Sequence, residues 1–299
     1  MDLPPLADPL DAPFETPLAD PLDVVALRSE LLAPAGPVAR LDVVARTGST
    51  NADLLAAARA GAPDRAVLVA ELQQAGRGRL DRRWTSPPGA GLTVSVLLRP
   101  SGVPTARWGW LPLLAGLALL RTVTELTPLA AALKWPNDLR LGPPGGSAVA
   151  KCAGLLAEAD AGGAEPAVVI GIGLNVRNRR DELPDGASSL HAEGAEVSRN
   201  ALLAALLRRL LADEAAWRAA GGDPDAVGLL ADYRAACATL GSPVRIEQPG
   251  GVSTFATAFD VDGDGRLLVR EQSGATRAVA AGDVVHLRPA TVREHPGGR

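Results

Sequence analysis

Residues 40–72, RLDVVARTGSTNADLLAAARAGAPDRAVLVAEL, read as strand, turn, helix and strand. RLDVVAR (40–46) has the apolar spacing of a strand. Gly48-Ser49-Thr50-Asn51 forms a turn in which Thr50 or Asn51 caps the helix ADLLAAARAG, which stops at Gly61. AVLVAEL (66–72) is an apolar run of strand length. Downstream come a Gly/Arg loop at 75–83, Trp84, a Pro-Pro-Gly turn and a further strand, LTVSVLLRP (92–100). Residues 108–127 suit a long buried helix with small residues at Ala115, Gly116 and Ala118. This β-α-β-β-α-β order continues through LKWPNDLRL (133–141), a hairpin tip GPPGG (142–146), VAKCAGLLAEA (149–159) and AVVIGIGLNV (167–176). Helices are expected at 198–219, capped by Ser198, and at 225–239. From Gly241 the pattern changes to PVRIEQ, STFATAFDV, RLLVRE, TRAVAA and DVVHLRP. Short strands with Gly turns predict a small β-barrel of about 50 residues. The expected division is a tail at 1–39, a main α+β domain at 40–239, a barrel at 240–290 and a disordered end at 291–299.

Toward the N-terminus, PLADPLD occurs at 5–11 and again at 17–23. Pro, Asp and Ala at this density do not bury a core, so a mobile tail is expected, with one short helix in VVALRSELL (24–32) ended by Pro34 and Gly36. The 299 residues allow one large or two modest domains. Apolar residues make up 47% but aromatics only 3%, so Leu, Val and Ala must build the core. A net charge of -4 excludes a generic basic nucleic-acid coat. Cys152 and Cys237 make neither a disulfide framework nor a metal cluster. The acidic, Pro-rich start is not a signal peptide. The apolar stretch between Arg107 and Arg121 is shorter than the ~20 residues that span a bilayer. A soluble cytoplasmic protein is expected.

Of 30 Lys and Arg residues, only Lys134 and Lys151 are lysine. A lysine retained against so strong a bias is a candidate for work that the planar guanidinium of Arg does not do. Asn is also scarce (51, 137, 175, 178, 200), as is Gln (73, 74, 248, 272). Both Lys, three of the five Asn and two of the four Gln gather in five short segments. Gly76-Arg77-Gly78-Arg79 combines close backbone approach with forked donors for phosphate or carboxylate, although a solvated flexible loop has the same composition. No G-K-[ST] follows, so this is not a Walker loop. In Lys134-Trp135-Pro136-Asn137-Asp138, the last three residues are good turn chemistry, but a turn needs neither the lysine nor the tryptophan. Strand alternation places Lys151 on the face of Ala153 and Leu155, where it needs an anionic partner unless it sits at the strand's mouth in water. Gly171 and Gly173 inside a strand mark close approach by a ligand or another backbone.

GSTN, QQAGRGR, KWPND, K-x-AG-[LI]-L and GIGLNV, in this order, resemble the biotin protein ligases (biotin–acetyl-CoA-carboxylase ligases) over roughly residues 40–290. The resemblance implies a mixed sheet flanked by helices, related to class II aminoacyl-tRNA synthetases, followed by an SH3-like barrel. It implies activation of biotin with ATP to biotinyl-5′-AMP, then transfer to a lysine of a biotin carboxyl carrier domain. Two anions must meet, so fixed positive charge is needed. On this resemblance Lys151 bridges the biotin carboxylate and the α-phosphate, and Arg77, Gly78 and Arg79 form a loop that orders over the adenylate. Lys134 meets the nucleotide phosphates, with Asn137 and Asp138 beside phosphate and magnesium. Ser49, Thr50, Asn51 and Gln73 bond the ureido ring and its surroundings, Gly154, Gly171 and Gly173 line the biotin slot, Trp84 packs under the loop or over the ligand, and Asn175 contacts the nucleotide. ATP and biotin are substrates, Mg2+ enters on the ATP phosphates, and no tightly bound prosthetic group is implied.

The departures are GPPGGSAVA between KWPND and Lys151, where relatives carry a charged hairpin, and Cys152, which replaces a larger aliphatic residue and reads as core. Some family members carry a winged-helix repressor domain; the N-terminal segment here is too short and Pro-rich for one, so neither operator DNA nor membrane is an expected partner. Asp260, Asp262, Asp264, Gly265 and Glu271 fit a calcium-loop pattern, but strands flank it and a hairpin turn explains it. His191 reads as a surface loop residue, His286 as structural, Trp108 and Trp110 as packing, and Arg208-Arg209 as a solvated helix face. The competing readings are a lipoate or octanoate transferase on the same sheet, a nucleic-acid-binding regulator using the Gly/Arg loop, and a non-catalytic biotin-binding module.

Overall fold

The computed structural model describes residues 18, 20–162, 165–247, 253–281 and 286–289. Of the tail expected at 1–39, residues 1–17 (with the first PLADPLD) and 19 lie outside them, as does the end at 291–299. The chain runs through α1 (Val24–Leu31), β1 (Arg40–Thr47), α2 (Thr50–Arg59), β2 (Ala66–Gln73), β3 (Gly91–Leu98), α3 (Leu111–Leu126), β4 (Ala130–Lys134), β5 (Asp138–Gly142), β6 (Ala150–Asp160), β7 (Ala167–Asn175), α4 (Arg199–Ala219) and α5 (Leu229–Ala236). The strands form one seven-stranded sheet in the order β1-β2-β3-β7-β6-β5-β4. β1 and β2 are parallel, joined by the α2 crossover; every other neighbouring pair is antiparallel. On one face Leu54 and Ala58 of α2 pack on Val44, Leu68, Leu97 and Val169. On the other face α3, with ten buried residues, packs against α4, α5 and the sheet. Each fully buried Leu or Val there contributes about 1.5–3 kcal/mol.

Several expectations change. Helix α2 begins at Thr50, and its cap is Ser49, whose Oγ accepts the Ala52 N–H; Thr50 and Asn51 therefore lie in the first turn. LKWPNDLRL is not one strand. Trp135, Pro136 and Asn137 are the turn of a hairpin in which Lys134 pairs with Asp138. The helix expected at 225–239 shortens to α5: Gly228, with φ 74°, precedes it, and after it Cys237 and Ala238 leave to bond along β4, Ala238 N–H to Leu133 O at 2.9 Å. The start of the 108–127 helix is a 3-10 turn at Thr105–Trp110. Together Thr105–Leu126 spans 22 residues and contains an 18-residue window of mean hydropathy 1.2, enough by length and composition to cross a bilayer and longer than the stretch read from sequence; it is the core helix, and that window is mostly buried. Residues 20–38 are docked rather than loose. Leu22, Leu27, Leu31 and Val38 are buried in the main core. Arg199, 1% exposed, forms a bidentate pair with Glu71 and bonds Asp20. Breaking such a buried pair costs about 3–5 kcal/mol.

The remaining strands, β8 (Pro243–Glu247), β9 (Ser253–Val261), β10 (Leu267–Glu271), β11 (Thr276–Val279) and β12 (His286–Pro289), form a small antiparallel sheet in the order β11-β10-β9-β8-β12. The His286 side chain lies outside the described residues. The calcium-loop pattern is the β9–β10 hairpin turn: the Asp262 carboxylate accepts the Asp264 and Arg266 N–H groups and the Arg266 Nε–H, and Asp260 pairs with Arg234. This turn seats the small sheet on the large one. Trp110 Nε1–H donates to Asp262 O at 3.0 Å and Trp135 Nε1–H to Gly265 O at 3.1 Å. The approach is so close that a Cβ on Gly265 would lie 2.8 Å from Gly109 O.

Candidate active site

An open cleft lies across the sheet, at the ends of β2, β3, β6 and β7. Every residue that the resemblance assigned to biotin or ATP lines it. Ser49, Thr50 and Asn51 enter from the start of α2, and Gln73 from the end of β2. Arg77, Gly78, Arg79 and Trp84 come from the loop between β2 and β3. Lys134 and Asp138 flank the β4–β5 turn and Asn137 lies in it; Lys151 and Gly154 stand on β6, and Gly171, Gly173 and Asn175 on β7.

The loop is a small flap. Its arms touch at Arg77 and Arg83, Trp84 N–H bonds Gly76 O at 2.9 Å and Gly78 N–H bonds Arg82 O at 2.6 Å. At its tip Leu80 takes a left-handed conformation (φ 56°) and is half exposed. Trp84 lies over Gly154 and Gly173, which face each other across β6 and β7. A Cβ on Gly173 would come within 2.4 Å of the indole, so the bare glycines make this stacking possible.

Lys151 does not share a face with Ala153 and Leu155. Leu139 pairs with Ala153 but Arg140 with Lys151, so Cys152 is an extra residue in the ladder. This bulge turns Lys151 onto the face of Gly154, a common use of bulges beside reactive sites. Cys152 itself is buried, its Sγ against Asn175 O at 3.2 Å, and burial pushes its thiol above the ordinary value of 9.0.

Six of the lining side chains are cationic (Arg77, Arg79, Arg82, Arg83, Lys134, Lys151) and two are carboxylates (Asp138, Glu182). Lys151 Nζ lies 2.6 Å from Asp138 Oδ1, so Asp138 is engaged by an ammonium. Burial lowers the Lys134 ammonium from the ordinary 10.5; Asp138 opposes this, and Arg140, Lys151 and Arg82 add to it. Arg79 is lowered in the same way, by burial first and Arg82 second. It bonds Asn137 Oδ1 at 3.4 Å and Ala281 O, just beyond β11, at 2.5 Å. Crowded cations in a partly desolvated cleft favour an anionic ligand.

The polar end is pre-arranged. Gln73 Oε1 accepts both the N–H (2.9 Å) and the hydroxyl (3.0 Å) of Thr50. Asn51 Nδ2 donates to Leu156 O and to Glu158 Oε2, while its Oδ1 accepts the Ser95 hydroxyl. Gly171 makes room for this amide, since a Cβ there would lie 2.3 Å from Asn51 Oδ1. Asn175 donates to Ser188 O at 3.0 Å, tying the neighbouring loop to the cleft. Sequence reading missed Ser95, Glu158 (paired with Arg77 at 3.3 Å) and the Leu183–Ala187 rim. Ser95 and Glu158 sit in strands with no distinguishing local pattern, and their partners are 44 and 107 residues away.

Residues 43–175 match the biotin/lipoate A/B protein ligase family and residues 239–287 the biotin protein ligase C-terminal domain. A biotin–[acetyl-CoA-carboxylase] ligase of Mycobacterium tuberculosis is 46% identical over 276 residues, covering 91% of this chain and 98% of that protein. The biotin protein ligase of Aquifex aeolicus, solved in complex with biotin and ATP, shares the fold, with a TM-score of 0.68 at 24% identity over 84% of this chain and all of that one. That of Leishmania major, in complex with biotinyl-5-AMP, gives a TM-score of 0.54 at 25% identity over 81% of this chain and 99% of that one. With the mixed sheet flanked by helices, the SH3-like terminal sheet and 46% identity over nearly the full length of a curated ligase, the chain belongs to the biotin protein ligase family.

Proposed function

We propose that the cleft joins biotin to AMP and passes the biotinyl group to a lysine of a biotin carboxyl carrier domain. The observation that carries this reading is the excess of cations lining the cleft in a chain whose net charge is -4. The biotin carboxylate attacks the α-phosphorus of ATP and pyrophosphate leaves. The acceptor amine, as free base, then attacks the carbonyl carbon of the mixed anhydride and AMP leaves. Lys151, re-aimed by the bulge, exchanges Asp138 for the two reacting anions and screens their repulsion. Lys134 and Arg79 neutralise the phosphates. Ser49, Thr50 and Gln73 receive the ureido end, with Asn51 as a scaffold whose amide is already engaged. Arg77 ties the flap to Glu158, and the flap keeps water from the anhydride. Asn175 acts by fixing the Ser188 loop.

Among the described residues no group of three His, Cys, Asp or Glu side chains is arranged to hold a metal, and Asp138 is occupied by Lys151. On this reading Mg2+ comes in on the ATP phosphates, which are its main ligands, beside Asp138. ATP as substrate is in keeping with a cytoplasmic enzyme. The cations converge in a cleft rather than along an outer face, which does not favour the nucleic-acid reading. Incubation with labelled biotin, ATP and an apo carrier domain tests the proposal: label must appear on the carrier only with all three present. ATP-dependent transfer of lipoate or octanoate in preference to biotin, or biotin binding without pyrophosphate release, would overturn it.

A further inference from the structure

The flap leaves the sheet where β2 and β3 part. Their ladder runs from Val67–Val96 to Ala70–Thr93 and stops there; β2 continues beside β1, and β3 beside β7. Glu71 and Gly91 stand just beyond the last rung, one before the flap and one after it. The Arg199 guanidinium fills this fork. Nη1 donates to Glu71 Oε2 at 2.6 Å and to Gly91 O at 3.1 Å, and Nη2 to Glu71 Oε1 at 3.1 Å. Its Nε donates to Asp20 O at 3.0 Å, and its own N–H to Asp20 Oδ2 at 2.9 Å. The strap that carries Asp20 also reaches the trailing leg of the flap, where Leu18 lies so close that a Cβ on Gly89 would be 3.1 Å from its Cδ2. Arg199 is the first residue of α4, where the helix dipole disfavours a cation, so the position is set by its partners rather than by helix preference.

We propose that Arg199 is a positioning residue for the flap: it replaces the missing rung, fixes the separation of the two legs and so sets how tightly Arg77, Arg79 and Trp84 close over the adenylate. Lysine keeps the charge but not the fork that reaches Glu71, Gly91 and Asp20 together. The proposal rests on the reading that an adenylate forms under the flap.

Its test uses the full chain as wild type, Arg199→Lys, Glu71→Gln and, as a stability control, Arg218→Lys. Arg218 belongs to an ion cluster with Asp64 and Glu214 near the opposite end of β2. Each protein is loaded with labelled biotin and ATP, and release of biotinyl-5′-AMP is timed beside the thermal midpoint and the KM for biotin. The expected result is release at least tenfold faster in Arg199→Lys and Glu71→Gln, with a raised KM for biotin. Arg218→Lys loses stability but releases at the wild-type rate. Wild-type release in the two fork variants, or equal acceleration in Arg218→Lys, overturns the proposal. If Arg199→Lys does not fold, the isosteric Glu71→Gln decides it. A wild type that makes no adenylate overturns the reading of the cleft and this proposal with it; a wild type that makes it, with variants that retain it equally well, overturns the positioning role alone.

Discussion

Lys151 has a near neighbour on each side, with Asp138 Oδ1 at 2.6 Å and the Gly154 backbone beneath, a Cβ on which would be 3.3 Å from Nζ. A guanidinium is wider than an ammonium and does not fit this gap without moving the turn. The variant Lys151→Arg is expected to lose roughly 100-fold or more of adenylate formation, read as biotin-dependent exchange of pyrophosphate into ATP. An exchange rate within threefold of wild type (about 0.6 kcal/mol) would sink the bridging role. Lys134 carries a pH signature. Its ammonium is lowered from 10.5 by burial, so as pH rises it loses its proton earlier than an ordinary lysine, and with it the attraction for phosphate. The KM for ATP should therefore climb on the alkaline side below pH 10.5, and Lys134→Arg should move that climb upward. An identical profile in the two proteins would remove Lys134 from the phosphate site.

At the scale of elements, strand and helix order, the GPPGG hairpin tip and the small terminal sheet were legible because apolar periodicity and Gly/Pro punctuation are local signals. The β6 bulge was not. One extra residue leaves no trace in composition, yet it reverses the face on which Lys151 stands. The cleft was legible for a different reason: with lysine nearly absent, retained ammonium groups were conspicuous. Arg199 was hidden by the same bias, since one arginine among so many carries no signal, and its meaning comes only from contacts 108 to 179 residues away. The β9–β10 turn shows how a pattern can mislead. Its aspartates already accept backbone and arginine N–H groups. The thermal midpoint should accordingly be the same in calcium and in chelator, and a calcium-dependent rise would reinstate a metal loop.

For the whole molecule, the two sheets meet through the turn that Trp110 and Trp135 bind. Trp135 lies between Lys134 and Asn137, so the small sheet is the seat of the cleft-lining β4–β5 turn as well as a neighbour of the cleft. Gly265→Ala adds a side chain at φ 80° and 2.8 Å from Gly109 O. Strain and clash together should cost roughly 1–3 kcal/mol, seen in chemical denaturation, with the terminal sheet released first. Unchanged denaturation would show that the contact is slack.

The near absence of lysine has one more outcome for an enzyme whose product acylates amines. Any activated biotin that escapes finds no ε-amine on the protein's outer surface, because both stand at the cleft. Self-labelling of a side chain is then also self-inactivation, and preparations that leak should lose turnover in step with the label they acquire.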